Sequence, residues 1–206
     1  MVTPRKPSAL FDEPQPKARR LRHPVRSHLP HHVWRSWRST DAAAATKAFF
    51  TRPRKSAAAR ELMQGLCSDD PCDHRCAAEL ARLVSRRQPG VLAQYADLLA
   101  EVAAEFPPEE WQARGYVLVA AALNATTPAQ RERLLPLVCA RLQEERIAAR
   151  AMALEAFATL AAHEPDLRDE AMEMLEQHRH STDPAIRVRA RMMLPILMRA
   201  DTRPPR

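Results

Sequence analysis

Apolar residues follow one another at helical spacing through the second half of the chain, for example at Leu154, Phe157 and Leu160. Side chains three and four residues apart share one face of an α-helix, so each such series predicts an amphipathic helix. The connections between the series are only a few residues long, and neighbouring helices are therefore expected to pack antiparallel. We predict seven helices, near residues 71–87, 90–105, 108–125, 128–145, 147–162, 166–179 and 184–199.

Prolines mark the starts of these segments at a nearly constant interval. Proline is tolerated at the first position of a helix, where its missing N–H would have had no partner. Asp70, Thr127 and Asp183 stand directly before three of the prolines and can cap the free N–H groups of the first turn. Successive intervals of 18, 19, 20, 37 and 19 residues separate Pro71, Pro89, Pro108, Pro128, Pro165 and Pro184. Such spacing predicts a helix pair that repeats about every 37 residues.

Three alternate helices share one motif. The segment "IRVRARMMLPIL" at residues 186–197 has the form apolar-Arg-x-x-Ala-x-x-x-Leu-x-x-Leu. The segment "ARAMALEAFATL" at residues 149–160 repeats it 37 residues earlier, and "ARGYVLVAAALN" at residues 113–124 repeats it loosely another 36 residues back. The motif resembles the second helix of HEAT repeats. Two departures stand out: Asn124 replaces the final apolar residue, and Arg82 of the first unit stands where Phe157 stands in a later one.

The resemblance to HEAT repeats implies an all-α fold. It would be a right-handed α-solenoid of about three to four antiparallel helix pairs, in which neighbouring pairs share a continuous core and form a concave surface. Such a surface usually binds another macromolecule. An ordinary helical bundle is the alternative architecture. The composition agrees with an all-α chain, because it contains only 3 glycines and 5% aromatic residues.

The positive charge of the chain is concentrated near its N-terminus. Residues 1–60 contain 14 Lys and Arg against 3 acids, whereas residues 61–206 contain 18 against 22. Residues 1–40 also hold six prolines and hardly an apolar cluster, so they are predicted to be a disordered basic tail. Residues 41–206 are predicted to be the helical repeat domain, with capping helices in 41–67 and repeats in 68–199.

Two features of the tail and one of the repeats are candidate binding sites. Trp34 and Trp37, with Arg35 and Arg38 beside them, either anchor the tail to the repeats or bind a partner. A basic run is attracted to phosphate without sequence readout, and its members are Lys17, Arg19, Arg20, Arg22 and Arg26. The repeated arginines are Arg114, Arg150 and Arg187, which either line the concave surface or pair with an acid of the adjacent repeat.

No motif in the sequence organises an active site. The three glycines, Gly65, Gly90 and Gly115, are too far apart for a phosphate-binding loop, and we expect no cofactor and no enzymatic activity. Some HEAT-like proteins are DNA glycosylases that use aromatic side chains and an acid in the concave groove. Trp111 is the only tryptophan in the predicted repeats, so the resemblance gives this activity little support.

A cluster of cysteines and a histidine suggests zinc at first sight. Cys67, Cys72, His74 and Cys76 lie within ten residues, but structural zinc sites usually join two short ligand pairs well separated in sequence. In a helix that starts at Pro71, His74 would point about 160° away from Cys76. Zinc would therefore require the start of the helix to unwind. We expect no bound metal, and the cluster is a weak candidate.

These features together predict a non-catalytic module that binds a protein partner through its concave face and its basic tail. A nucleic-acid-binding protein is the alternative. The sequence has no apolar run of the roughly 20 residues that a membrane span needs and no apolar signal segment, so we expect a soluble cytoplasmic protein with reduced cysteines. A monomer is expected.

Overall fold

The structure, a computed structural model, describes residues 42–52 and 55–201. Within these residues the chain folds into nine α-helices and forms no strand. The helices are α1 (Ala42–Thr51), α2 (Lys55–Leu66), α3 (Pro71–Arg87), α4 (Ala96–Glu105), α5 (Trp111–Asn124), α6 (Pro128–Leu142), α7 (Ile147–Ala161), α8 (Pro165–His178) and α9 (Pro184–Asp201). None of these helices combines the length and the apolar character that a membrane span requires.

Three of the predicted capped starts are confirmed. Helices α3, α6 and α9 begin at Pro71, Pro128 and Pro184. The carboxylate of Asp70 accepts a hydrogen bond of 2.8 Å from the N–H of Cys72, and that of Asp183 accepts one of 2.8 Å from the N–H of Ala185. Thr127 forms a reciprocal capping box with Gln130. The short polar side chains satisfy N–H groups that the helix itself leaves without partners.

Two predicted starts lie too early in the sequence. Helix α4 begins at Ala96 rather than near residue 90, because Gly90 adopts a left-handed φ of 79° that ends any helical continuation from Pro89. The N–H of Gly90 instead donates to the carbonyl of Leu123 at 3.1 Å. A 3₁₀ turn at Pro108–Glu110 precedes α5, which begins at Trp111 rather than at Pro108.

Alternate helices form a series of contacts through the molecule. Helix α3 packs against α5, α5 against α7, and α7 against α9. Helix α4 packs against α5, α6 packs against α5 and α7, and α8 packs against α7 and α9. The two helices before Pro71 pack against α3. Contacts between alternate helices and contacts between neighbours in sequence thus both hold the domain together.

Helix α7 lies at the centre of the core. All residues from Ala151 to Ala161 are buried, because α5, α6, α8 and α9 pack around this helix. Its many alanines leave room for helices to approach closely on every side. Helices α5 and α7 approach so closely that a Cβ added at Gly115 would lie 2.5 Å from the terminal methyl of Met152. The absence of a side chain at Gly115 therefore allows the close approach of α5 and α7.

Candidate interaction surface

The three repeated arginines occupy one equivalent position. Arg114, Arg150 and Arg187 are each the fourth residue of their helix, in α5, α7 and α9. The guanidinium of Arg187 donates to the carbonyl oxygens of Ser181 and Thr182, at 2.7 and 3.3 Å, and so ties α9 to the preceding connection. Arg150 is half-buried, and Arg114 is buried with only 5% of its surface exposed. The structure therefore places these arginines on three helices rather than in one open patch.

A different set of arginines meets around one buried carboxylate. Glu155 lies in the middle of α7, and its side chain is only 6% exposed. The guanidinium of Arg86, on α3, donates from Nε to Oε1 of Glu155 at 2.7 Å and from Nη2 to Oε2 at 2.5 Å. Nη1 of Arg189, on α9, lies 2.8 Å from Oε2 of the same residue. One carboxylate thus joins three helices of the series.

A further arginine adds positive charge to this group. The guanidinium carbon of Arg82 lies 4.5 Å from the ring centroid of Tyr116, a cation–π contact, and no carboxylate of the described residues lies within ion-pair distance of Arg82. Burial lowers the pKa of Arg82, and the neighbouring charge of Arg86 lowers it further. Burial also lowers the pKa of Arg189. We call Arg82, Arg86, Tyr116, Glu155 and Arg189 the arginine cluster; it carries three positive charges and one negative charge.

Two features of the sequence indicate the arginine cluster. Glu155 is the one acid in the segment "ARAMALEAFATL", which is apolar apart from Arg150, Glu155 and Thr159, and a carboxylate in a buried helix needs a cationic partner. Arg82 stood out as a charged residue at a position that is apolar in a later unit. What the sequence did not reveal is the partner of Glu155, because Arg86 is 69 residues away.

Apolar side chains are exposed on the same helix as Arg189. Val188, Met192 and Ile196 are 54%, 47% and 46% exposed. Met192 and Ile196 follow Arg189 at intervals of three and seven residues, so the three side chains lie along one side of α9. The arginine cluster is therefore bordered by an apolar strip.

The cysteine cluster forms the start of α3. Both ring nitrogens of His74 are occupied: Nδ1 lies 2.7 Å from a carboxylate oxygen of Glu110, and Nε2 contacts the carbonyl oxygen of Ser68. Its ring also packs against Phe106, with centroids 4.8 Å apart. In the part of the chain that the structure describes, no group of three or more His, Cys, Asp or Glu side chains is arranged to hold a metal ion. His74 joins α3 to the turn before α5.

The tail candidates lie outside the described residues. These are Lys17, Arg19, Arg20, Arg22, Arg26, Trp34, Arg35, Trp37 and Arg38.

Comparison with known proteins adds no family: no family model matches the chain, and no curated protein and no solved structure matches it.

Proposed function

We propose that the chain is a non-catalytic, HEAT-like α-solenoid module that binds an acidic protein segment on the face formed by α3, α5, α7 and α9. The observation that carries this proposal is the excess of positive charge in the arginine cluster, beside exposed apolar side chains of α9. In the same proposal the basic tail adds long-range attraction, and the module is a cytoplasmic monomer.

The geometry of Arg86 supports a concave face. Helices α3 and α7 both pack on α5, yet Arg86 of α3 reaches past α5 to Glu155 of α7. Side chains of two helices that flank a third can meet only where the flanking helices lean toward each other. This contact supports the proposal that the surface over α5 is the inner side of a curved array, as a right-handed α-solenoid would require.

The chemistry of this face favours a partner that is both acidic and apolar. The guanidinium of Arg82 lies over the ring of Tyr116, and its Nε has no hydrogen-bond partner among the described residues, so a carboxylate of a partner would give this cation its counter-charge. The strip of Met192 and Ile196 can bury apolar side chains of the same segment. An amphipathic peptide with acids on one side meets both demands.

A binding experiment with defined probes tests the proposal. Full-length protein would be titrated with a fluorescent amphipathic peptide rich in Glu and Leu, and with a sequence-scrambled peptide of equal charge. We expect Arg82→Gln to lower the affinity for the first peptide about tenfold, because one charge-assisted hydrogen bond is lost. Arg75→Gln, an exposed change on the same helix, is the matched control and should leave affinity unchanged. Equal binding by both variants would contradict the proposed face.

Nucleic acid is the second candidate, and the basic run of the tail favours it. Under this alternative, duplex DNA binds full-length protein with an affinity that falls steeply as salt rises. Replacing Lys17, Arg19, Arg20, Arg22 and Arg26 together by Gln should reduce both the affinity and the salt dependence. DNA binding with these properties, together with no binding of the acidic peptide, would replace the first proposal by the second.

A further inference from the structure

A small pocket lies between α5 and the connection from α6 to α7, apart from the arginine cluster. The space that it encloses is only about 10 Å³, room for about one water molecule, and the rest of it is open to solvent. Apolar surface comes from Trp111, Leu118 and Ala149, and charged groups come from Arg114, Arg141 and Glu144. The guanidinium carbon of Arg146 lies 5.9 Å from the ring centroid of Trp111, and its Nη1 donates to the carbonyl of Pro108 at 3.0 Å. These two contacts hold the Trp111 wall of the pocket in place.

Arg114 is the unusual member of this pocket. Its side chain is 6% exposed, its Nε has no hydrogen-bond partner within the described residues, and its ion-pair contact to Oε1 of Glu144 is 3.8 Å long. That distance exceeds a hydrogen bond. Glu144 is instead hydrogen-bonded by Arg141. A guanidinium this buried ordinarily has its donors satisfied, so the Nε of Arg114 is a buried donor without an acceptor, and Glu144 balances the charge only at a distance.

We propose that this pocket binds a small oxyanion group, a carboxylate or a phosphate, with Arg114 as its principal donor. The three charged groups of the pocket leave one positive charge in excess, which a single anionic group neutralises. Burial, and then the neighbouring Arg141, lower the pKa of Arg114, as expected for a cation that an anion would stabilise. So little enclosed space admits one oxygen of such a group. The remaining atoms would lie at the open side of the pocket, where the Trp111 wall can contact the apolar atoms that carry the group.

Thermal unfolding with simple anions tests the pocket. Full-length protein would be heated in sodium phosphate, sodium acetate and sodium chloride at equal ionic strength. We expect phosphate or acetate at about ten times its dissociation constant to raise Tm by about 3 °C relative to chloride. Phosphate salts also stabilise folded proteins in general, because they are excluded from the protein surface. Only a rise that Arg114→Met abolishes is therefore assigned to the pocket: with phosphate alone it identifies a phosphate group, and with acetate alone it identifies a carboxylate. No rise with either anion overturns the proposal.

Substitution of Arg114 assigns the effect to this pocket. Arg114→Met removes a buried charge that lacks hydrogen bonds, so we expect Tm in chloride to stay equal or rise and the response to the oxyanion to be lost. Arg187→Met is the matched control: it changes the equivalent residue of α9, whose hydrogen bonds are satisfied, so Tm should fall while the oxyanion response remains. A lower Tm for Arg114→Met in chloride would show that Arg114 is structural and would overturn the proposal.

The proposal for this pocket does not depend on the proposed interaction face, and one further variant distinguishes the two. The arginine cluster also attracts anions, so Arg82→Gln is measured in the same series. If the pocket is the anion site, this variant keeps the full oxyanion response whether or not it has lost peptide binding. An oxyanion response that disappears with Arg82→Gln and persists with Arg114→Met would contradict the pocket and assign the anion to the cluster.

Discussion

Asn124 shows how one residue that breaks a pattern can hold several helices together. It stands where the repeated motif has an apolar residue, and it is fully buried at the C-terminal end of α5. Its Oδ1 accepts from the N–H of Leu92 at 2.7 Å, and its Nδ2 donates to Ser85 Oγ and to the carbonyl of Ala120, both at 2.7 Å. Every polar atom of this amide has a partner, so the departure is a connection between α3, α5 and the turn before α4.

Replacing this amide should destabilise the protein. Asn124→Leu keeps a similar size but leaves the N–H of Leu92 buried without an acceptor, and we expect a loss of about 1–3 kcal/mol in the free energy of unfolding. Urea denaturation followed by circular dichroism measures it. Gln177→Leu, which removes an exposed amide, is the control and should change stability by less than about 0.5 kcal/mol. Equal effects of the two changes would show that the buried bonds contribute nothing.

Cys67 offers a prediction about pH. Desolvation raises the pKa of its thiol, and the carboxylates of Glu105 and Glu101 raise it further. The thiolate is the nucleophile, so alkylation of Cys67 by iodoacetamide should be slower in folded than in urea-unfolded protein at neutral pH. The rate should rise only at a higher pH than in the unfolded chain. Peptide mass spectrometry over a series of pH values measures both profiles, and Glu105→Gln should move the folded profile to lower pH.

Coinciding folded and unfolded alkylation profiles would contradict this account of Cys67. The same would be true of a Glu105→Gln profile that moves to higher pH.

At the scale of elements, α7 differs from a surface helix in having no polar face to turn to solvent. Its alanines let four helices pack around it, and this environment forces its one carboxylate, Glu155, to find cations. Arg86 and Arg189 supply them from α3 and α9. A buried ion pair of this kind adds little stability compared with an apolar replacement of both partners. Removing one partner alone is strongly destabilising, because the other charge is then buried without compensation.

Neutralising Glu155 should therefore have a large effect. Glu155→Gln leaves the guanidinium groups of Arg86 and Arg189 without their counter-charge, and we expect a loss of about 3 kcal/mol in the free energy of unfolding. Chemical denaturation measures it. Glu176→Gln is the matched control, because Glu176 pairs with Arg179 on the exposed surface of α8, and the change should be below about 0.5 kcal/mol. A small effect at Glu155 would mean that water already screens the cluster.

At the scale of the whole molecule, local signals predicted the helices better than their contacts. Proline and capping residues act within one turn, so the starts of α3, α6 and α9 could be predicted to the residue. The late start of α4 could not be predicted in this way. It follows from the left-handed conformation of Gly90 and from the hydrogen bond that the N–H of Gly90 donates to the carbonyl of Leu123, which is distant in sequence. The arginine cluster was missed for the same reason. Its members come from four helices, and no local rule relates Arg86 to Glu155.

The order of stability across the molecule follows from this packing. Amide hydrogens of α7 are surrounded by four helices and should exchange only when the whole domain unfolds, whereas those of α1, near one end of the array, should exchange through local opening. Hydrogen exchange followed by mass spectrometry measures both. Exchange in α7 as fast as in α1 would show that the helix pairs open independently.

The bridge at Glu155 also bears on how the chain folds. Stacked helix pairs can in principle form one after another, each stabilised by the pair already in place. Here a carboxylate in α7 meets its cations only after α3, 69 residues earlier, and α9, which follows it, are both docked. Partly assembled intermediates would contain an uncompensated buried charge and would be poorly populated. The domain should therefore fold and unfold in a single cooperative transition, with a rate limited by long-range closure rather than by helix formation.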